Sequence, residues 1–177
     1  MSSDGLKIGI SKAEQKKFEK QFGKATKTVQ DKLRQIVAKS AMNIQAQAKA
    51  NITENKGRVS SALFNSIRVV YSQDMLTARI LAGKDYAVNY EFGTKSNMSI
   101  PAELITQYAD IKVKEQSFDE LYEAIKLWCR RKGIPADRAY GIASTIARFG
   151  QQPHPFLYPA FKDEKEKFLD NIKSALK

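Results

Sequence analysis

Residues 63–82, LFNSIRVVYSQDMLTARILA, decide the fold class of this chain. The run from Leu63 to Tyr71 ends in β-branched and aromatic side chains, which favour an extended strand. The run from Leu76 to Ala82 alternates between two faces, which is the period of a strand with one buried side. The polar residues Ser72-Gln73-Asp74 separate the two runs. The stretch therefore predicts two antiparallel strands joined by a turn.

A long helix is predicted before this sheet. Ser11 can cap its start, and Glu14 stands three residues later, which is the spacing of a capping box. From Val29 to Ile52, apolar residues recur at steps of three, four and seven, the period of an amphipathic helix. Gly57 suits the left-handed cap at the end. The pattern predicts one N-terminal helix of about thirty residues.

After the sheet, the sequence predicts mainly helices. Gly83-Lys84-Asp85 indicates a turn. Residues 95–116 lack a clear period, except for a short helical piece around residues 102–108. Ser117 then caps a further helix, with Glu120 in the capping-box position.

A second helix is expected after the break at Gly133. Pro135 is suited to its first turn, and Gly150 to its end. Its apolar stripe, which we expect to be buried, consists of Ala139, Ile142, Ile146 and Phe149.

The C-terminal part begins with three prolines between Pro153 and Pro159. Each proline fixes its own φ and biases the preceding residue away from helix, so this segment should be extended. Pro159 can open the last helix. Asp163 and Glu164 are expected in its first turn, where carboxylates complement the helix dipole.

These elements predict one α+β domain across residues 1–177, with a long N-terminal helix, a small antiparallel β-sheet, a helical hairpin insert and a C-terminal helix. We divide it into a basic N-terminal helical arm (1–56), the sheet (57–94), the helical insert (95–150), and the Pro-rich segment with the C-terminal helix (151–177).

The composition excludes several classes of function. One cysteine, Cys129, leaves no pair for an intramolecular disulfide, and one histidine, His154, leaves none for a His-pair metal centre. No apolar run approaches the ~18–20 residues that span a bilayer, so no membrane association is expected. No nucleophile–base pair, phosphate-binding loop or paired-carboxylate signature occurs. We therefore expect neither enzymatic activity nor a cofactor.

The net charge of +11 is uneven along the chain. Residues 1–56 hold twelve Lys and Arg against five Asp and Glu, and residues 57–177 hold eighteen against fourteen. Such an excess attracts phosphate polyanions or an acidic partner, although it also fits a solvated helix face. The candidate DNA-facing residues are Lys16, Lys17, Lys20, Lys24 and Lys27.

The two helices of the insert also permit a helix-turn-helix interpretation. A base-reading second helix would begin with Arg, Asn, Gln or Lys side chains. Here Asp137, Arg138 and Tyr140 occupy that region, followed by small and apolar residues. A helical hairpin packed on the sheet is therefore favoured.

Glu91 is the most conspicuous acidic residue, because it interrupts an apolar stretch before Phe92-Gly93-Thr94. A general acid would need a partner, and no spacing supplies one. We expect Glu91 to accept hydrogen bonds from backbone amides or to pair with an arginine.

Two short motifs occur in a fixed order. The first is Asp85-Tyr86-Ala87 followed by Tyr90-Glu91-Phe92-Gly93-Thr94, and the second is Pro153-His154-Pro155-Phe156-Leu157-Tyr158-Pro159-Ala160. Together with Leu63–Ile67 and the helical insert, they resemble the tail-component family of long-tailed bacteriophages, which includes tail completion protein Z of phage lambda. The resemblance covers about residues 25–175.

The resemblance implies a structural protein of the virion tail or neck, which completes the tail and contributes to head–tail joining. It implies copies of the chain in a ring, with six-fold symmetry expected, beside tail terminator, tail tube or head-completion proteins. DNA would pass through the ring with transient contacts, and assembly would take place in the host cytoplasm. The alternative is a sequence-independent nucleic-acid-binding protein that uses the basic N-terminal helix. A small hydrolase built around Glu91 is a third hypothesis.

The two motifs supply the candidate site residues. We expect Tyr86 and Phe92 to anchor on the core, and Gly93 to form a turn that other residues resist. Phe156 can fill either the core of its own chain or a pocket on a neighbouring copy. The motif and interface candidates are Tyr86, Glu91, Phe92, Gly93, Thr94, Pro155, Phe156 and Pro159.

Overall fold

The computed structural model describes residues 6–7, 16, 27–54, 61–108 and 117–175, which form an α+β fold. Within these residues, three antiparallel strands form one sheet, with two helices between the first and second strands and the other helices after the third. The elements in chain order are β1 (Leu6–Lys7), α1 (Lys27–Glu54), α2 (Ser61–Ser66), β2 (Ile67–Tyr71), β3 (Ala78–Ala82), α3 (Ala87–Phe92), the 3-10 turns Lys95–Asn97 and Ala102–Leu104, α4 (Ile105–Tyr108), α5 (Phe118–Lys132), α6 (Arg138–Phe149) and α7 (Leu157–Ala175).

Helix α1 is 28 residues long and confirms the predicted amphipathic period. One face is buried against the sheet and against α7, through Leu33, Val37, Ala41, Ile44, Ala48 and Ile52. Leu33 also packs with Ile172 of α7 in a second, smaller apolar cluster. The capping pair Ser11 and Glu14, and the terminating Gly57, lie outside the described residues.

The sheet has the order β1-β3-β2, so β3 lies between the two others. Strands β2 and β3 pair with Ile67 opposite Ala82 and Tyr71 opposite Ala78. The predicted turn is present, and Asp74 closes it by accepting a hydrogen bond from the amide of Leu76 at 3.0 Å.

The prediction of strand from Leu63 onward was wrong for residues 63–66. These residues form the end of α2, where Leu63 is buried and the Ser66 hydroxyl donates to the Leu63 carbonyl at 2.7 Å. The β-branched run that favours a strand begins only at Ile67. The predicted sheet region 57–94 also contains a second helix, α3, in the apolar stretch after Tyr86.

The insert is a pair of packed helices, α5 and α6. Ser117 and Glu120 form the predicted capping box, and Gly133 ends α5 in the left-handed conformation. Helix α6 begins at Arg138 rather than Pro135, because residues 135–137 form a preceding turn. Its end packs against the Lys95–Asn97 turn. Phe149 was expected to be buried but is 46% exposed.

Helix α7 begins at Leu157, so Pro159 is its third residue. Proline is tolerated there because the first-turn amides of a helix have no intrahelical partner. Asp163 and Glu164 lie in the second turn, not in the predicted first turn. Glu164 is buried and accepts a hydrogen bond from the Asn43 side chain of α1 at 3.2 Å.

Candidate functional site

The two sequence motifs meet in space, and Glu91 joins them. Its Oε2 accepts the backbone amides of Phe156 and Leu157, both at 2.9 Å. Its Oε1 accepts the amide of Tyr158 at 2.8 Å. These donors are the last amide before α7, that of Phe156, and the first two amides of the helix. The next residue, Pro159, has no amide hydrogen to donate. The carboxylate therefore caps α7 from a position more than sixty residues earlier in the chain.

Glu91 is 1% exposed, and this burial raises the pKa of its carboxyl group. The three amide hydrogen bonds act in the opposite direction and lower the pKa. Both carboxylate oxygens are committed to backbone donors, and the side chain is shielded from solvent. The prediction that Glu91 accepts amide hydrogen bonds is confirmed, and this geometry leaves the group no access to a substrate.

A second set of contacts joins Gly93-Thr94 of the first motif to Gly150-Gln151, just before the second motif, and joins Tyr90 to His154. The Thr94 amide donates to the Gln151 carbonyl at 3.0 Å, and the Gln151 amide donates to the Thr94 hydroxyl at 2.8 Å. The His154 amide donates to the Tyr90 carbonyl at 2.8 Å. The two segments are thus held together by main-chain groups along their length.

The two glycines permit this close approach. Gly93 has φ +75°, and a Cβ there would lie 2.8 Å from both the Asn97 and Gln151 carbonyl oxygens. Gly150 has φ +89°, and a Cβ there would lie 1.9 Å from the Thr94 oxygen. At both positions, the backbone conformation is one that residues with a side chain resist, and the surrounding atoms leave no room for a Cβ. The predicted turn at Gly93 is confirmed.

The turn after Gly93 caps the end of α6. Lys95 donates through Nζ to the Ala147 carbonyl, Ser96 through Oγ to the Phe149 carbonyl at 2.7 Å, and Asn97 through Nδ2 to the Gly150 carbonyl at 3.0 Å. These carbonyls lie at the helix terminus, where they need partners outside the helix. The sequence analysis missed all three side chains. Their polar run directly after Gly93-Thr94 is the signal that could have identified them.

We call the contact between residues 90–94 and residues 150–158 the junction. Aromatic side chains fill the space beneath it. Phe92 packs against Tyr108 with ring centroids 5.3 Å apart. Tyr90 packs against His154 at 5.3 Å and against Phe156 at 5.9 Å. Phe156 is fully buried, and its carbonyl accepts the Asn51 side chain of α1 at 2.9 Å. Phe156 therefore belongs to the core of its own chain, which was one of the two positions that we expected for it.

The candidate residues divide into two groups. Glu91, Phe92, Gly93, Thr94 and Phe156 are buried in the junction. Tyr86, which precedes α3, is 44% exposed, so the expectation that it anchors on the core was wrong. Pro155 is exposed and Pro159 is half-buried, so Tyr86 and Pro155 are the exposed residues among the candidates.

The predicted DNA-facing lysines are only partly described. Lys16 lies in a helical position and is exposed, and Lys27 is exposed at the start of α1. Lys17, Lys20 and Lys24 lie outside the described residues.

Across the described ranges, no group of three or more His, Cys, Asp or Glu side chains is placed to hold a metal ion. Among the same residues, no helix combines the length and the apolar character needed to cross a membrane. Cys129 is fully buried, as expected for a small core residue.

Residues 16–93 match a family model described as "Bacteriophage HK97-gp10, putative tail-component". The match supports similarity to phage tail components, and it covers α1, the described strands β2 and β3, and the first motif through Gly93. No curated protein and no solved structure gives a significant match.

Proposed function

We propose that this chain is a structural protein of the tail and neck of a long-tailed bacteriophage. It completes the tail and contributes to head–tail joining as one copy in a closed ring, with six copies expected, and it acts by assembly without catalytic turnover. The observation that carries the proposal is the match of residues 16–93 to phage tail components.

The junction extends this support beyond the matched residues. The second motif, residues 153–160, lies outside the match, yet the Glu91 carboxylate accepts three of its backbone amides and the Tyr90 carbonyl accepts the His154 amide. The two motifs therefore act as one structural unit, in keeping with the resemblance to the family of protein Z. A stiff unit of this kind suits ring assembly, because preorganised surfaces lose little conformational entropy on docking.

A ring built from one kind of chain requires head-to-tail contacts that close by rotation. Its neighbours in the virion would be tail terminator, tail tube or head-completion proteins. Exposed lysines such as Lys16 and Lys27 suit a channel for DNA, because sequence-blind phosphate contacts position the duplex without reading it. The protein would assemble in the host cytoplasm and remain in the virion.

Deletion of the gene from the phage tests this function. We expect non-infectious particles with unjoined heads and incomplete tails in electron micrographs, and rescue by the purified protein in an extract. Native mass spectrometry of isolated necks should give a ring of identical copies. Normal joined particles in the absence of the gene would contradict the proposal.

A second candidate function is sequence-independent nucleic-acid binding by the basic N-terminal part. The observation in its favour is the charge excess of residues 1–56, of which Lys16 and Lys27 are exposed. A salt titration with a short duplex separates the two functions. Tight binding by the isolated chain, with affinity falling steeply as salt rises, favours this alternative. Negligible binding by the isolated chain favours the assembly role.

A further inference from the structure

Strand β2 forms one edge of the sheet, since β3 pairs with it on one side only. The hydrogen bonds at the two ends of the β2–β3 pairing show whether the backbone groups of each β2 residue face β3 or the outer edge. The Ser72 amide donates to the Thr77 carbonyl at 2.9 Å, and the Gly83 amide donates to the Ser66 carbonyl at 3.4 Å. Hydrogen-bonded pairs alternate in an antiparallel ladder. Arg68 and Val70 therefore face β3 with their backbone groups.

The backbone groups of Ile67, Val69 and Tyr71 face the opposite way, along the outer edge. Consistent with this, the Ile67 carbonyl accepts the Gln45 side chain of α1 at 2.8 Å. Within residues 27–54, 61–108 and 117–175, nothing bonds to the outward amide and carbonyl groups of Val69 and Tyr71. These four groups can pair with one added strand.

Among the described residues, this edge has few of the usual protections. Natural edge strands are blunted by proline, by lysine, by a bulge or by a covering element. Strand β2 reads Ile-Arg-Val-Val-Tyr, with Arg68 as its one charged residue, and it pairs with β3 in an unbroken register; among the residues that the structure describes, it is covered only at its Ile67 end. Its β-branched and aromatic side chains favour extension by another strand.

The two faces of the sheet define the chemistry of that strand. The inner face contributes Val69 and Tyr71 to the core, so a neighbouring strand should place apolar side chains there. On the outer face, Arg68 lies on β2 itself and Arg79 lies on the neighbouring central strand β3, and both are exposed; Val70, which is opposite Arg79, is 42% exposed. Opposite charges on adjacent strands stabilise their pairing, and like charges oppose it.

A second copy is a poor occupant by this criterion. None of the three described strands contains an Asp or Glu residue. Pairing β2 with the β2 strand of another copy would gather four arginines on one face. The charge pattern favours a strand from a different protein.

We propose that the outer edge of β2 binds an extended segment of another protein in which apolar residues alternate with Asp or Glu. The segment adds a fourth strand beside β2, its backbone pairs with Val69 and Tyr71, and its carboxylates lie on the same face as Arg68, which is adjacent, and Arg79, which is one strand further away. This goes beyond the assembly role, since the edge and its charges belong to the single chain and do not depend on ring formation.

The test uses three capped heptapeptides and fluorescence anisotropy on the full chain. The first peptide alternates valine with glutamate, the second replaces glutamate by lysine, and the third is the glutamate peptide N-methylated on the amides that would pair with β2. We expect the glutamate peptide to bind, the lysine peptide to bind about tenfold more weakly, and the methylated peptide not to bind.

A charge reversal makes the test specific to this edge. The double variant R68E/R79E changes two exposed side chains and should keep the circular dichroism spectrum and melting temperature of the parent chain. Its peptide preference should reverse, with the lysine peptide now the tighter ligand. Hydrogen exchange gives the direct readout, because the Val69 and Tyr71 amides should exchange freely alone and become protected with the glutamate peptide.

Several results would overturn the proposal. They are the absence of binding at about 1 mM glutamate peptide, equal binding of both charged peptides, and an unchanged preference in R68E/R79E. Protection of Val69 and Tyr71 that grows with protein concentration alone would assign the edge to a second copy instead.

Discussion

Replacing Glu91 by Gln tests the junction most sharply, because the side chain keeps its shape and loses its charge. The carbonyl oxygen of glutamine can still accept the amides of Phe156 and Leu157. Its NH2 group would then face the amide of Tyr158, donor against donor. One buried amide would lose its acceptor, and the other two would keep only a neutral one.

The expected cost follows from these three hydrogen bonds. A buried amide without an acceptor costs about 1–3 kcal/mol, and a hydrogen bond to a neutral group is weaker than one to a charged group by about 1 kcal/mol. The neutral side chain is easier to bury, which offsets part of the loss. We therefore expect Glu91→Gln to lower the free energy of unfolding by about 2–4 kcal/mol at pH 7.

Urea denaturation followed by circular dichroism measures this change. At a typical slope of about 2 kcal/mol per molar urea, the midpoint should fall by about 1–2 M. Glu123→Gln is the matched control, because Glu123 is exposed on α5 and forms a surface ion pair with Lys126; the urea midpoint of this variant should not move. A change for Glu91→Gln below about 0.5 kcal/mol, with an intact spectrum, would refute the role of Glu91 as the cap of α7.

The remaining predictions concern the same junction. Gly150→Ala should lower the free energy of unfolding by at least ~2 kcal/mol, because the added Cβ would collide with Thr94 and the residue has a positive φ. Gly141→Ala is the control: it lies in α6 with open space around it and should change the free energy of unfolding by no more than about 1 kcal/mol. Similar thermal melts for the two variants would contradict the close approach of Gly150 to Thr94. Phe156→Ala should cost ~3–5 kcal/mol in chemical denaturation, whereas an unchanged melting temperature with lost assembly would place the ring at an interface. The stabilising effect of Glu91 should depend on pH: burial raises its folded pKa above the usual 4.5, so its contribution is complete below pH 4.5 and is lost as pH rises through the folded pKa. Glu91→Gln has no titratable group at this position, so its stability should lack this loss, and a parent chain that instead gains stability over the same pH range would show that the amide hydrogen bonds outweigh burial.

Local signals in the sequence predicted many element boundaries. Ser117 and Glu120 lie three apart and form their capping box with no help from the rest of the chain. Gly133 and Gly150 end their helices as expected, because the required backbone conformation favours glycine wherever the helix lies. The alternation of β3 correctly placed Ile80 and Ala82 on the buried face.

Tertiary packing decided the positions that the sequence analysis missed. Tyr86 and Phe149 are large and aromatic, which favours burial, but each lies at the terminus of a short helix on its exposed side. Residues 63–66 became helix because Leu63 meets the core from α2. No local pattern distinguishes these outcomes.

The sequence predicted the role of Glu91 as an acceptor of hydrogen bonds, but not which residues donate them. An acid in an apolar stretch must find hydrogen-bond donors, so the amide-accepting role of Glu91 followed from its surroundings. That the donors are Phe156, Leu157 and Tyr158 depends on a contact between segments 65–67 residues apart. Such a contact has no local sequence signal. Only the resemblance, which pairs the two motifs, pointed to it.

The most direct measurement of the proposed role is complementation of a phage that lacks this gene. Purified protein added to an extract of such particles should restore infectious titre and should then be found in the neck of the repaired virions. Full infectivity in the absence of the protein, or repaired particles that do not contain it, would contradict the account.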